Sequence, residues 1–265
     1  MFEIIYEDPE TQEKKYVYQN SWGITTRTIG VMIMIHADNQ GLVLPPRVAS
    51  IQIVIVPCGI TANLTDDARN NLQVSCSQLE EEMKNAGIKV KGDYRSNYSP
   101  GWKFNHWELK GVPIRVELGP KDIEKKQIVA VRRDSGEKIT LPRNGVVNKL
   151  GELLDDIQNS LYRKAYEDLE GHKILLTDWS QFGPNLDNKK IILAPFCGDE
   201  ECEDKIKADS ARDDTEAAEQ GAPSMGAKSL CIPLEQPAPI KENDKCIHPE
   251  CKRRPQFYTL FGRSY

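Results

Sequence analysis

The sequence predicts an α/β protein in three parts: a short α+β stretch over 1–48, an α/β region with a mixed sheet over 49–150, and a small α+β metal-binding region over 151–265. Three observations carry this reading. Residues 51–56 are β-branched throughout except for Gln52, the pattern of a strand buried on both faces. Beyond them, strand-like runs alternate with amphipathic helical ones, which points to a sheet with helical crossovers. Finally, Cys197/Cys202 and Cys246/Cys251 form two close pairs around a long polar stretch in the last third.

Taken in order, residues 3–20 read as a hairpin, two apolar runs around a turn at Glu7-Asp8-Pro9-Glu10-Thr11. The next stretch, SWGITTRTIGVMIMIH over 21–36, sets Arg27 among hydroxyl residues and, past Thr28, before seven residues without a polar side chain. It predicts a buried helix entered from a strand, with Thr25 and Thr26 as N-cap residues. Periodicity alone suits a core helix with a snorkelling arginine. A helix start also offers free N–H groups and a positive dipole end, both suited to phosphate. Asp38-Asn39-Gln40-Gly41 then turns the chain into a strand at 42–44, and Pro45-Pro46 marks a domain boundary.

In the second part, residues 66–86 place Ala68, Leu72, Cys76, Leu79 and Met83 on one helical face, with Gly87 at the C′ position. Further strands are expected at 88–91, 112–118, 127–132 and 138–141, with a short helix at 99–110. From Asn144 a long amphipathic helix carries Val147, Leu150, Leu154, Ile157, Leu161 and Ala165 on one stripe. In the third part, 190–193 is an apolar strand, and 203–228 is acidic and poor in apolar groups, so a flexible loop is expected there. Cys231, in the run SLCIPL, lies in an apolar strand-like stretch and reads as a core residue, as do Cys58 and Cys76. The ending, FYTLFGRSY, is aromatic enough to require packing.

Composition narrows the function classes. With 39% hydrophobic and 28% charged residues over 265, the chain is globular. No apolar stretch approaches the roughly 18 residues of a membrane span. The N-terminus has no basic n-region, and seven unevenly spaced cysteines suggest reduced thiols in the cytoplasm, or metal ligation, over a disulfide framework. The net charge of −5 conceals an asymmetry: 84–133 holds twelve Lys/Arg against five Asp/Glu, whereas 199–219 holds ten acids against three bases. A basic block with interleaved aromatics is the footprint of an RNA-binding module. The paired cysteines fit a tetrahedral Zn²⁺ site, whose thiolates lie about 2.3 Å from the ion and converge from two turns. Their loose spacing also fits buried free thiols. No HExxH pattern supports a metallohydrolase.

The stretch SWGITTRTIGVMIMIHADNQGLVLPPRVA resembles the third signature motif of class II aminoacyl-tRNA synthetases, in the form carried by prolyl-tRNA synthetases of the eukaryotic and archaeal type. Residues 99–122, SPGWKFNHWELKGVPIRVELGPKD, resemble the anticodon-binding domain of that family, and the aromatic ending resembles its C-terminus, where the terminal tyrosine folds back toward the catalytic domain. The resemblance implies ATP with Mg²⁺ as substrate, Thr25 and Arg27 as ATP-binding residues, and Trp22 and Gly23 at the edge of the proline pocket. It implies that Phe104 stacks on an anticodon base, that Glu108 and Asp122 accept from guanine donors, and that Arg115 and Lys121 supply positive contacts. Read singly, Phe104 fits a core and Glu108 a solvated helix face.

Family members commonly end in a zinc domain with two cysteine pairs, which implies Cys197, Cys202, Cys246 and Cys251 as ligands. The second pair is often C-x-C in that family. Here that register leaves His248 as the alternative to Cys251, and Cys251 is preferred. Implied partners are tRNA(Pro), ATP and proline, a second copy as homodimer, and a glutamyl-tRNA synthetase fusion within a multi-synthetase complex. The first and second class II motifs do not occur in the sequence. The expectation is therefore the C-terminal part of a synthetase, inactive alone, from an incomplete gene model or a fusion. A non-catalytic tRNA-binding module with structural zinc is the alternative.

Overall fold

The computed structural model describes residues 2–61, 64–212 and 225–263. The chain divides into two compact units, Met1–Leu161 and Tyr162–Tyr265.

The first unit opens with the expected hairpin, β1 (Ile5–Glu7) antiparallel to β2 (Lys14–Tyr16), and continues into α1 (Arg27–His36). This helix departs from expectation, since none of its residues is buried. Ile24, Ile29, Met34 and Ile35 are all more than half exposed, because among the described residues nothing packs over them. Nor does either threonine cap the helix with its side chain: Thr26 sits at the N-cap in α-helical geometry without a side-chain bond. The strand expected at 42–44 is absent too. Leu42 and Leu44 instead donate singly to the carbonyls of Leu109 and Gly111. That contact needs two glycines. A Cβ on Gly41 (φ +129°) would come to 2.8 Å from the Leu109 main chain, and one on Gly111 (φ +71°) to 2.6 Å from that of Leu42.

The five-stranded sheet follows the order β4 (Val90–Gly92), β3 (Ile53–Pro57), β5 (Ile114–Leu118), β6 (Gln127–Arg132), β7 (Lys138–Pro142). The β3 strand is parallel to β4 and β5, and β6 and β7 are antiparallel, so the sheet is mixed. Strand periodicity sorts the two faces. On one face Ile53, Ile55, Ile114, Val116, Ile128 and Ala130 meet Leu72, Leu79 and Met83 of α2 (Asp66–Asn85) and Leu150, Leu154 and Ile157 of α5 (Val146–His172). The α2 helix begins at Thr65, whose hydroxyl accepts from Ala68. It ends in a Schellman motif: Gly87 (φ +81°) donates to Lys84 and Ile88 to Met83. On the opposite face Val54 and Val56 meet Trp107 and Phe104 of α3 (Pro100–Leu109), while Arg115 and Glu117 share that side of β5. The turn α4 (Pro120–Glu124) follows β5.

The second unit holds a four-stranded sheet ordered β10 (Ala227–Cys231), β11 (Phe257–Arg263), β9 (Ile191–Phe196), β8 (Lys173–Leu175). Only β8 and β9 run parallel. Its core joins Ile192, Ala194, Phe196 and Phe261 to Phe182 and Leu186 of α6 (Phe182–Asp187) and Ile206 of α7 (Glu200–Asp209). The α7 helix occupies part of the stretch expected to be a loop. Asp199 caps it, Glu200, Glu201 and Glu203 suit the positive end of its dipole, and Cys202, Ile206 and Ser210 form a buried stripe. Ala227 and Lys228, at the end of that stretch, belong to β10, and 213–224 and the terminal tyrosine lie outside the described residues. Cys231 is exposed and not in the core, because β10 pairs only with β11 and leaves its last residues at the sheet edge. No described helix is long and apolar enough to cross a membrane.

Candidate functional site

Two groupings concentrate chemistry, one in each unit. In the first, α3 and β5 bring Phe104 and Arg115 together. The guanidinium carbon stands 4.2 Å from the Phe104 ring centroid, and Glu117 holds the group through Nε at 3.0 Å. Lys138 on β7 reaches the other Glu117 oxygen at 3.9 Å. Glu108 lies one turn after Phe104 and lines one cleft with Arg115, Arg132, Arg133 and Lys138. Its main-chain carbonyl accepts from Arg133, but its carboxylate makes no hydrogen bond among the described residues. A half-buried ring, a guanidinium over it and an uncommitted carboxylate therefore face one partly covered sheet surface, where Arg132 is paired with Asp134 and Asp156 and Arg133 with Asp38.

Lys121 and Asp122 stand elsewhere, on α4 at the carboxyl end of β5. The chain leaves β3 toward β4 and leaves β5 toward β6, so the gap between the carboxyl ends of β3 and β5 is a topological switch point, where α/β sheets place ligands. Lys121 is exposed. Asp122 is partly committed: one oxygen accepts from Gly119 N–H at 3.0 Å and the other from Gln127 at 3.1 Å. A carboxylate has about four acceptor sites, so two remain for a ligand. Glu117 and Lys138 escaped sequence reading, although the alternation in IRVEL already set Arg115 and Glu117 on one face. The pairing of β6 with β7 that brings Lys138 over was not legible. Trp22, Gly23, Thr25 and Arg27 are all exposed at and before the start of α1, with no enclosing pocket among the described residues.

In the second unit, Cys197, Cys202, Cys246 and Cys251 converge, their four sulfurs within 4.8 Å of one another. Cys197 follows β9, and Gly198 (φ +79°) turns the chain into α7, whose first turn carries Cys202. On the other arm Ile247 donates to the Pro195 carbonyl, fixing Cys246, and Cys251 donates to the carbonyl of His248. The Cys202–Cys246 and Cys197–Cys251 sulfurs are each 3.7 Å apart, and none is in a disulfide. A tetrahedron with bonds of about 2.3 Å has edges of about 3.8 Å, so the four sulfurs suit one ion of zinc's size.

The electrostatics agree with that fit. Burial, with the neighbouring sulfurs, pushes the Cys202 thiol far up. Burial also raises Cys246 to about 11, against the His248 N–H that donates to it. Burial works the same way at Cys251, but the Arg253 N–H and adjacent thiols outweigh it and lower that group. Four thiolates cannot all ionise side by side unaided, and a divalent cation removes the conflict. His248 stands outside the sulfur cluster. Its ring is buried, its Nε2 lies 2.9 Å from Asp209, and Trp179 meets it edge-on at 5.0 Å.

Residues 179–265 match the family model for the prolyl-tRNA synthetase C-terminal region, and residues 52–153 match that for an anticodon binding domain. Over its whole length the chain is 64% identical to a bifunctional glutamate/proline–tRNA ligase of Drosophila melanogaster, covering 15% of that protein. It is 52% identical to the one of Mus musculus, covering 17% of it. Against a putative proline–tRNA ligase of Saccharomyces cerevisiae the identity is 48%, and the chain covers 39% of that relative.

Proposed function

Because the chain belongs to the prolyl-tRNA synthetase family, we propose that it is the part of a proline–tRNA ligase that reads the anticodon of tRNA(Pro), completes the ATP site and carries a structural zinc. The observation that carries this reading is the Phe104–Arg115 pair at 4.2 Å beside the uncommitted Glu108 carboxylate. RNA readers take splayed bases, stack them and bond their edges. A guanine stacked on Phe104 offers two N–H donors to Glu108, while its O6 and N7 meet Arg115. Lys121 and the remaining lone pairs of Asp122 serve the second guanine at the switch point. Competition between tRNA(Pro) and the same tRNA with its anticodon guanines replaced tests this. We expect at least tenfold preference for the native tRNA, and equal binding would overturn the assignment.

The chain spans about one-sixth of the bifunctional relatives and less than half of a single-function one, so catalysis belongs to a longer protein. There ATP binds with Mg²⁺, Arg27 meets its γ-phosphate, Thr25 contacts the nucleotide, and Trp22 and Gly23 border the proline pocket. The exposed apolar face of α1 supports that reading, since it needs cover that the described residues do not supply. The zinc would be held by Cys197, Cys202, Cys246 and Cys251, tying two turns together without an open coordination position. By analogy with one relative described as cytoplasmic, the longer protein is cytoplasmic, and the family resemblance alone makes it a homodimer. As in the bifunctional relatives, it is fused to a glutamate–tRNA ligase, and the family resemblance alone adds a multi-synthetase complex. In the longer protein, Arg27→Ala should slow proline-dependent ATP–pyrophosphate exchange by about 10²–10³-fold, the usual cost of removing one preorganised group that stabilises charge developing in a transition state, here on the departing pyrophosphate.

A further inference from the structure

A column of rings runs along α3 on the side away from Phe104. Tyr98 stacks on Trp102 at 3.9 Å and 14°, and Trp102 on His106 at 4.8 Å and 16°. The three stand four residues apart, on one stripe of the helix and its N-terminal approach. Arg95 lies over the first two rings at 5.0 and 5.2 Å, pinned there by a two-pronged bond to Asp93. Asp93 is itself buried and accepts from the Trp107 indole, so the guanidinium is held in place. Tyr98 and Trp102 remain about two-fifths exposed, at 38% and 41%. The fold alone does not require such a column, because the α3 core contacts go through Phe104 and Trp107.

Tyr98 also lines a cavity of about 540 Å³ at the carboxyl ends of β3 and β4. Pro57 and Ile60 form one wall, Arg69 and Arg95 bring positive charge, and Gln73 and Asn97 bring amide groups. The volume suits one nucleotide. The same loop that contributes Ile60 begins at Cys58 and Gly59, beside the switch point that holds Lys121 and Asp122.

We propose that this cavity takes one unpaired nucleotide of the bound tRNA, outside the two anticodon guanines, with its base stacked on Tyr98 as the next member of the column and its phosphate near Arg69 and Arg95. The proposal rests on the anticodon reading above and adds a subsite to it. Continuity with the switch point favours a nucleotide of the same RNA strand over a free one. The amides at the rim bond base edges without demanding one base.

The test uses the whole chain with anticodon stem-loops carrying 2-aminopurine, or an abasic unit, at each unpaired position other than the guanines. Stacking in the cavity quenches 2-aminopurine at one position on binding. Tyr98→Leu should abolish that quench and weaken the native stem-loop about tenfold, within the range of base–aromatic stacking. Tyr98→Phe should preserve both. The abasic unit at the same position should cost about tenfold in the wild type and nothing further in Tyr98→Leu. Unchanged affinity and quenching in Tyr98→Leu overturn the proposal. So does an equal loss in Tyr98→Leu and Tyr98→Phe at every position, which marks a merely structural ring. Binding of free CMP or AMP that is lost in Tyr98→Leu, with no positional effect in the RNA, assigns the cavity to mononucleotides and also overturns it. Failure of the parent reading looks different: guanine-substituted stem-loops would bind as well as native ones, whatever Tyr98 does.

Discussion

At the scale of single residues, charge pairing decides more than exposure suggests. The Arg133 side chain is only 4% exposed, and its two terminal nitrogens meet Asp38 at 2.8 and 2.7 Å. The Arg133 hydrogen bonds hold the Asp38 carboxyl down at about 2, against an ordinary value of 3.8. The folded-state value lies below the unfolded one, so this pair contributes stability above about pH 4 and loses it as the pH falls through about 2. Asp38→Asn should therefore lower the urea midpoint at pH 7 but scarcely at pH 2. Since the Asp38 side chain is 45% exposed and solvent screens the pair, the cost at neutral pH should be about 1 kcal/mol. An equal loss at both pH values would show that the pair does not act through ionisation. At the proposed anticodon interface, Glu108→Ala should cost about 1–3 kcal/mol of discrimination at one guanine, by analogy with bidentate base contacts in DNA complexes, while Lys121→Ala weakens binding with a smaller loss of selectivity. Parallel binding curves with native and guanine-substituted tRNA separate the two effects.

At the scale of elements, what the sequence revealed depended on how local the cause was. Helix α2 was legible down to its glycine stop, because Leu72, Cys76, Leu79, Met83 and Gly87 encode both its face and its end within one segment. Strand β6 was legible from its apolar run. Helix α7 was not, because its acidic first turn resembles a solvated loop until Asp199 is seen to cap it and Cys202 and Ile206 to face the core. Strand β10 was legible only as a strand-like run around Cys231, since its backbone partner, β11, lies about thirty residues on. The cysteine pairs were legible as pairs, and their convergence rests on the pairing of β9 with β11, which no local pattern reports. The zinc reading predicts one equivalent of zinc in fresh, reduced protein. Structural zinc contributes roughly 10–16 kcal/mol in small domains. Chelation, or Cys202→Ser, should thus abolish amide protection across β9, α7 and β11 while leaving α2 and β3 protected. Hydrogen exchange with and without chelator measures this, and unchanged protection in β9 would rule out a structural role for metal.

At the scale of the whole molecule, the described core is concentrated in the sheet of each unit, and the first forty residues stand largely apart from it. Helices of ten residues are marginal in water without a packed face. In this chain alone, the α1 amides should exchange within seconds, while those of α2 last far longer. The chain should also bind tRNA with steep salt dependence and form no prolyl-adenylate. Proline-dependent pyrophosphate exchange by the chain alone would contradict that division of labour. One contact in the first unit has a genetic consequence. Gly41 and Gly111 let main chain meet main chain, so the obstacle to any larger residue at Gly111 is the backbone of Leu42, which every amino acid shares. A selection for second-site suppressors of Gly111→Val should return true revertants and changes that delete or re-route the 38–44 segment, but no compensating side chain at position 42.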